Sequence, residues 1–190
     1  ADMHNTDKVV TLIEEVRTMK LRLDAPDVNA SEYKFTVNDE GRIIYGLGAI
    51  KGVGEGPVEA ITEARQDGPF KDLFDFCARV DLKRINKRTL DGLIRSGALD
   101  RLGPCFHDEP KAYQASIDQN RAILLAAMEE AIKAAEQTAR THDSGHADLF
   151  GGLFVEEDSD VYGNHRKAKE LTLKERLKGE KDTLGLYLTG

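Results

Sequence analysis

Gly52 and Gly54 lie two residues apart between two apolar stretches, and this spacing could gather backbone amides around one anion. Glycine adopts left-handed backbone angles and lets another backbone approach closely, so the pair predicts a tight turn. Apolar residues recur at helical spacing on both sides of it, at Leu47, Ile50, Val58 and Ile61. Pro57 suits the first turn of a helix, where unpaired N–H groups favour an anion. The segment therefore predicts a helix, a tight turn and a second helix.

This arrangement resembles the helix-hairpin-helix motif, which holds DNA phosphates through main-chain amides without reading the base sequence. One alternative is a corner that only packs two helices together. A dinucleotide-binding loop would need three glycines after a buried strand and an acidic residue about 20 positions later. The third glycine is absent at the required offset, so the sequence argues against that loop.

A second turn, without glycines, is predicted at Asp81–Asn86. Asn86 can cap a helix over 87–96, and Gly97 can end it. We interpret this as a degenerate second hairpin, in which lysine and arginine replace the glycine turn as phosphate contacts. The 190-residue chain has a net charge of −7, but residues 79–101 carry seven basic and three acidic side chains, a local charge of +4. Phosphate affinity depends on such local patches, although an ordinary solvated helix face fits the charges too.

The remaining patterns make the predicted fold mainly α, a helical domain with one small β-hairpin. In residues 1–46, we expect an amphipathic helix over 7–20 that is ended by Asp24–Asp27, followed by the β-hairpin. Residues 33–37 and 42–45 form the predicted hairpin strands around Asn38–Gly41. The tandem helix-hairpin-helix then occupies 47–104, and its Cys77 lies on an apolar helical face as a core residue.

Residues 105–190 are predicted to form the third segment. A long alanine-rich helix runs from Glu109 to about Arg140, with a narrow apolar stripe. Residues 141–160 form an acidic loop with several glycines, and we expect it to be mobile. A basic helix over 166–178, ended by Gly179, then leads toward a missing further domain.

The acidic loop contains large apolar residues, which are costly to expose unless they bind something. The stretch in question is His146, Ala147, Asp148, Leu149 and Phe150. These residues can dock on the body of the same chain. Alternatively, they form a short linear motif whose anchors, Leu149 and Phe150, enter a pocket on a partner.

Catalysis and metal binding are not expected from this chain alone. Asp158 and Asp160 are a close acidic pair, but no predicted strand fixes their geometry. No histidine and cysteine cluster has metal-ligand spacing, and the histidines at 4, 107, 142 and 165 are expected to be solvated. Two isolated cysteines suit a reducing cytoplasm, and no apolar run resembles a signal or membrane segment. Because the chain begins Ala-Asp-Met, we expect a piece of a longer protein.

Several stretches together resemble the α subunits of bacterial DNA polymerase III, the C family of replicative polymerases. They are Tyr45-Gly-Leu-Gly-Ala-Ile-Lys-Gly-Val-Gly-Glu-Gly56, Phe74-Asp-Phe-Cys77, Ile94-Arg-Ser-Gly-Ala-Leu-Asp-Arg-Leu-Gly103 and Gly179-Glu-Lys-Asp-Thr-Leu-Gly-Leu-Tyr-Leu-Thr-Gly190. The resemblance implies the end of the fingers region followed by the domain that binds the sliding clamp. It also implies magnesium chemistry for the whole polymerase, but on residues upstream of this piece, so that no cofactor is expected here.

The resemblance further implies which residues contact partners. The positions that match the duplex-contacting hairpins are Lys51, Gly52, Val53, Gly54, Glu55 and Gly56, with Lys83, Arg84, Lys87 and Arg88 in the second element. The family's clamp-binding peptide begins with glutamine and ends with Leu or Met followed by Phe, which places it at 146–150. His146 stands where the family has glutamine. A neutral imidazole offers one hydrogen-bond donor and one acceptor, whereas the glutamine side chain offers two donors and an acceptor.

Three functional hypotheses follow from these observations. In the first, the chain is a processivity module that holds duplex DNA and the sliding clamp for the rest of the polymerase and other replisome subunits. In the second, it is a structural connector whose 141–160 loop docks on its own body. In the third, it is a helix-hairpin-helix domain of a repair enzyme, which the match at 179–190 argues against.

Overall fold

The computed structural model describes Thr11, residues 23–143 and residues 160–190, with the side chains of 141–143 excepted. The predicted helix over 7–20 lies outside this part of the chain, apart from the helical position of Thr11. Residues 144–159 of the predicted acidic loop, which include His146–Phe150, lie outside it as well.

Helices dominate the described residues, as the sequence predicts. The strands are β1 (Leu23–Asp24), β2 (Thr36–Val37) and β3 (Ile43–Ile44). The α-helices are α1 (Glu55–Ala64), α2 (Leu73–Arg79), α3 (Lys87–Arg95), α4 (Pro110–Asp143) and α5 (Leu173–Leu184). Short 3₁₀ turns cover Leu47–Ala49, Arg65–Asp67, Asp100–Leu102 and Gly163–His165.

The predicted β-hairpin is confirmed, and a third strand joins it. Strands β2 and β3 pair antiparallel, with Thr36 opposite Ile44, around a turn in which the Asn38 side chain accepts a hydrogen bond from the amide of Arg42. Strand β1 pairs parallel to β3 on its other side, so the order is β1-β3-β2. Asp24 was predicted as part of the segment that ends the first helix, whose end lies outside the described residues. The structure adds that Asp24 pairs as a strand with Ile44, twenty residues later, which local patterns do not reveal.

Helix α5 also differs from its prediction. It begins at a capping box, in which Thr172 and Glu175 bond each other's backbone amides, and it ends at Gly185, whose φ is 79°. Gly179 was predicted to end this helix, but it lies inside it. A Cβ at Gly179 would be 3.1 Å from the Cβ of Arg95 on α3. The glycine therefore permits a close helix–helix contact and does not act as a stop signal.

One hydrophobic core contains buried side chains from Val28 to Leu186. Most of the predicted stripe of α4 lies in it, namely Leu124, Met128, Ala131 and Ala135, and Ile117 is buried outside this cluster. Helix α4 is about 50 Å long at the usual helical rise and packs mainly against α2, with further contacts to α3. Cys77 is buried in the same core, and burial raises the pKa of its thiol to about 12, which keeps it protonated and unreactive.

Gly46→Ala is expected to destabilise the chain, because the new Cβ would lie 2.6 Å from the backbone carbon of Lys34. Backbone atoms cannot move aside as a flexible side chain can, so we expect a loss of about 1–3 kcal/mol. Gly56→Ala is the matched control: it meets nothing within 4 Å on α1, and alanine favours a helix, so stability should rise slightly. Urea unfolding of both variants measures the difference. Equal midpoints would contradict the tight packing of Gly46.

Candidate nucleic-acid interface

The first predicted hairpin is present, but its first helix is a single 3₁₀ turn, Leu47–Ala49. The sequence predicted a longer helix there. The amides of Leu47 and Gly48 instead donate to the carbonyls of Glu32 and Tyr33, at 2.9 Å each. These two hydrogen bonds hold the segment against the residues that precede β2. Because both amides are used in this way, they cannot belong to a further helical turn on the N-terminal side of Leu47.

The turn itself exposes its glycines and buries its apolar anchors. Gly52 has a φ of 87°, a left-handed angle that suits glycine, whereas the φ of Gly54 is −90°. Only the first of the two glycines therefore needs the predicted left-handed angle. Val53 is 3% exposed, and its amide donates to the carbonyl of Ile50. The side chain of Val53 is thus an anchor beneath the turn, with its N–H group already occupied.

Helix α1 presents unpaired amides at the surface beside this turn. Gly54 is its N-cap, and the helical bonds begin with the Val58 amide, which donates to the carbonyl of Gly54 at 3.3 Å. Among the described residues, the N–H groups of Gly54, Glu55 and Gly56 have no hydrogen-bond acceptor. Gly54 and Glu55 are exposed and Gly56 is half-buried. These amides and the positive end of the helix dipole form a position that favours a phosphate.

Lys51 contributes to this surface through its side chain alone. Its amide donates to the carbonyl of Thr183 on α5 at 2.8 Å, so that N–H group is not available to a ligand. The hydroxyl of Tyr45 likewise donates to the carbonyl of Leu184 at 2.9 Å. The C-terminal end of α5 therefore supports the hairpin from behind and holds it at a fixed position.

The second predicted turn is also present. The amide of Arg84 donates to the carbonyl of Asp81, Ile85 is buried, and the Asn86 side chain caps α3 by accepting from the amide of Thr89 at 2.8 Å. Helix α3 ends at Arg95, and Gly97 follows with a φ of 91°. The turn, the helix cap and the helix end were thus all predicted from the sequence, because each depends on residues that are close together in the chain.

The four basic residues of this second element differ in their surroundings. Arg84 forms ion pairs with Glu63 at 2.6 Å and with Asp81 at 3.2 Å, and hydrogen bonding to Arg84 lowers the pKa of Glu63. Lys87 pairs with Glu129 of α4. Lys83 and Arg88 are exposed, and their side chains make no ion pair with any described residue. The last two are therefore ready to contact a phosphate without breaking an internal bond.

The two turns lie side by side. The hydroxyl of Thr89, on the first turn of α3, is 3.5 Å from the carbonyl oxygen of Gly52. A cleft of about 950 Å³ begins at this contact and is lined by Lys51, Asn86, Arg88 and residues of α3 and α5. The structure thus brings Lys51 and Gly52 of the first predicted hairpin and Arg88 of the second to one cleft.

A buried ionic network fixes the orientation of these elements, and the sequence analysis missed it. Arg121 of α4 donates to both carboxylate oxygens of Asp100 at 3.0 Å and to Glu180 of α5 at 2.8 Å. All three side chains are at most 8% exposed. Burial alone would lower the pKa of Arg121, but the two carboxylates raise it above its usual value. The burial of Arg121 could have been predicted from its spacing, since it lies between Ile117 and Leu124 on the apolar face of α4.

No group of three or more potential metal-binding side chains occurs among the described residues, and none of their helices is long and apolar enough to cross a bilayer. His107 is exposed, as predicted. His165 was predicted to be solvated, but it is partly buried and contacts the carboxylate of Glu130, which corrects that expectation.

Comparison with known proteins agrees with this geometry. A family model described as a helix-hairpin-helix motif matches residues 20–106. DNA polymerase III subunit alpha of Pseudomonas fluorescens is 93% identical over 190 residues, which is all of this chain and 16% of that protein. These matches place the chain in the DNA polymerase III subunit alpha family, as one segment.

More distant members of the family match along the whole chain too. The subunit from Vibrio cholerae serotype O1 is 49% identical and that from Escherichia coli K12 is 48% identical, each over 191 residues. The chain covers 100% of its own length in both alignments and 15% of each relative. It therefore spans about a sixth of the length of its curated relatives, and both hairpins belong to that span.

Proposed function

We propose that this chain is the part of a DNA-directed DNA polymerase that holds duplex DNA and the sliding clamp during replication in the cytoplasm. The observation that carries the proposal is the row of unpaired amides at Gly54–Gly56, beside the second hairpin, in a chain of this family. Amides at a helix start bind any phosphate of the backbone equally well, so this surface suits DNA of any sequence. The segment itself carries out no chemistry in this proposal, and magnesium acts elsewhere in the whole polymerase.

The hairpins would hold one strand of the duplex at two neighbouring points. Lys51, Gly52 and the amides of Gly54, Glu55 and Gly56 form the first, with Val53 as their buried support. The second comprises Lys83 and Arg88, together with Arg84 and Lys87, which already share carboxylates with other elements. Both points contact phosphate only, and phosphate contacts fix position without specifying sequence.

A substitution at Glu55 tests the role of the amides directly. Glu55 is the first residue of α1, where proline is well tolerated, and the preceding Gly54 is extended as a pre-proline residue should be. Glu55→Pro therefore removes one N–H group with little effect on the fold. Glu55→Ala is the matched control, because it removes the same carboxylate and keeps the N–H group. We expect Glu55→Pro to bind duplex DNA roughly tenfold more weakly than Glu55→Ala.

Fluorescence anisotropy of a labelled duplex, titrated with each variant at low salt, measures that ratio. Thermal melts of both variants report on folding. Equal affinities with equal melting temperatures would contradict phosphate binding by the amides of α1.

The clamp would be bound through His146, Ala147, Asp148, Leu149 and Phe150. Two features support this proposal: the match to the family's peptide pattern, and the apolar pair Leu149 and Phe150 in an otherwise acidic stretch. The chain enters this stretch from α4, whose residues 136–140 are exposed, and leaves it at Asp160, which is exposed as well. In this proposal, the same segment holds both duplex DNA and the clamp and thereby gives processive replication with the rest of the polymerase and other replisome subunits.

A further inference from the structure

The cleft between α3, α5 and the first hairpin turn extends the surface described above, and nothing so far assigns it a ligand. Its volume is about 950 Å³. Among the described residues, no aromatic or large apolar side chain lines it. Four basic side chains do, namely Lys51, Arg88, Arg95 and Lys178, together with three carboxylates, those of Asp91, Glu175 and Asp182, so that the lining has a net charge of +1. A ligand in this cleft would be held by charges and hydrogen bonds, as a phosphate is, and would not be held by stacking on its bases.

Asp182 of α5 shows where the positive charges converge. Its carboxylate accepts a hydrogen bond from Lys178 at 2.7 Å. This bond lowers the pKa of Asp182, and the nearby Lys51 and Arg95 lower it further. Three cations from three elements thus lie near one exposed carboxylate, and one of them, Arg95, is also paired with Asp91 on its own helix at 2.8 Å. In the chain without DNA, Asp182 occupies a place that suits an anion and shields Lys178 from other anions.

The cleft is continuous with the hairpin surface. Gly52 and Lys51 belong to both, and Arg88 is exposed at the start of α3 without an ion pair to a described residue. A DNA strand held at the amides of Gly54–Gly56 carries one phosphate for about every 3.4 Å of the helix axis, so its next phosphates lie close enough for long lysine and arginine side chains to contact them. The neighbouring phosphates of a bound strand therefore have basic residues to meet in the cleft.

We propose that helix α5 is a third DNA-contacting element, in which Lys178 leaves Asp182 and binds a backbone phosphate in this cleft. The inference rests on the proposed function, because it needs a strand already held by the hairpin. Lys178 is exposed, and its bond to Asp182 is an i,i+4 surface pair that gives way easily to a stronger anion. The contact is independent of base sequence and adds one phosphate to the binding site.

Substitutions of Lys178 and of Asp182 are expected to change the affinity for duplex DNA in opposite directions. Lys178→Ala should weaken duplex binding about fivefold to tenfold at low salt and reduce the slope of log affinity against log salt by about one. Asp182→Asn should tighten binding about twofold to fivefold, because it removes a competing anion and leaves Lys178 unpaired. Lys174→Ala is the matched control, an exposed lysine on the same helix that does not line the cleft. It should change the slope by much less than one.

The test is an anisotropy titration of the 190-residue chain and its variants with a labelled duplex at four salt concentrations, alongside thermal melts. Equal slopes for Lys178→Ala and Lys174→Ala, or no tightening by Asp182→Asn, would overturn the role of α5. That result leaves the hairpin proposal intact if Glu55→Pro still binds more weakly than Glu55→Ala. A chain that does not bind the duplex even at the lowest salt concentration would overturn the hairpin and the cleft together.

Discussion

Arg121→Ala is expected to lower the free energy of unfolding by about 3–5 kcal/mol, because it leaves two buried carboxylates without their partner. Asp100 accepts two hydrogen bonds from the guanidinium and Glu180 accepts one. Glu180 keeps the amide and hydroxyl of Thr189, at 2.9 and 3.0 Å, but those groups do not neutralise its charge. For a chain of this size, the expected fall in melting temperature is roughly 6–20 °C.

Thermal and urea unfolding, followed by circular dichroism, measure this effect. Arg140→Ala is the matched control, since Arg140 lies on the same helix and is exposed, and its melting temperature should stay within about 2 °C of the original. Arg121→Lys should fall between the two, because it keeps the charge and loses the planar fork that bonds both oxygens of Asp100. A melting temperature of Arg121→Ala equal to that of Arg140→Ala would contradict the importance of the network.

Leu149→Ala/Phe150→Ala is expected to weaken binding to the sliding clamp by about 100-fold or more, with no change in melting temperature. Apolar anchors at the end of a short peptide carry most of its binding energy, and removing two of them costs several kcal/mol. A tether that is free of the protein body contributes nothing to folding. Surface plasmon resonance with immobilised clamp, together with a thermal melt, measures both quantities.

The nearby pair Leu153→Ala/Phe154→Ala is the matched control, because it removes similar side chains outside the proposed peptide. It should bind the clamp as the original chain does. His146→Gln should bind several-fold more tightly, since the amide regains a donor. The connector hypothesis predicts the reverse pattern for Leu149→Ala/Phe150→Ala: unchanged clamp binding and a loss of about 2–5 kcal/mol of stability, as for large buried side chains.

Two glycines show that the sequence pattern does not distinguish a helix end from a close helix–helix contact. Gly97 was predicted to end α3, and its left-handed φ agrees with that prediction. Gly179 was given the same role, but it lies inside α5 against Arg95, and Gly185 ends the helix. A glycine can serve a turn or a close contact, and the sequence around it looks alike in both cases. Only the position of α3 distinguishes them.

Sequence alone determined the features whose causes are local: the turn at Gly52, the cap of Asn86 on α3, the β-hairpin around Asn38 and the buried stripe of α4. Each depends on residues within a few positions of one another. The tertiary structure decided the pairing of β1 with β3, the burial of Arg121 between Asp100 and Glu180, and the support of the hairpin by α5. These contacts join residues 20 to more than 130 positions apart, and their energies appear only after the core has brought the elements together.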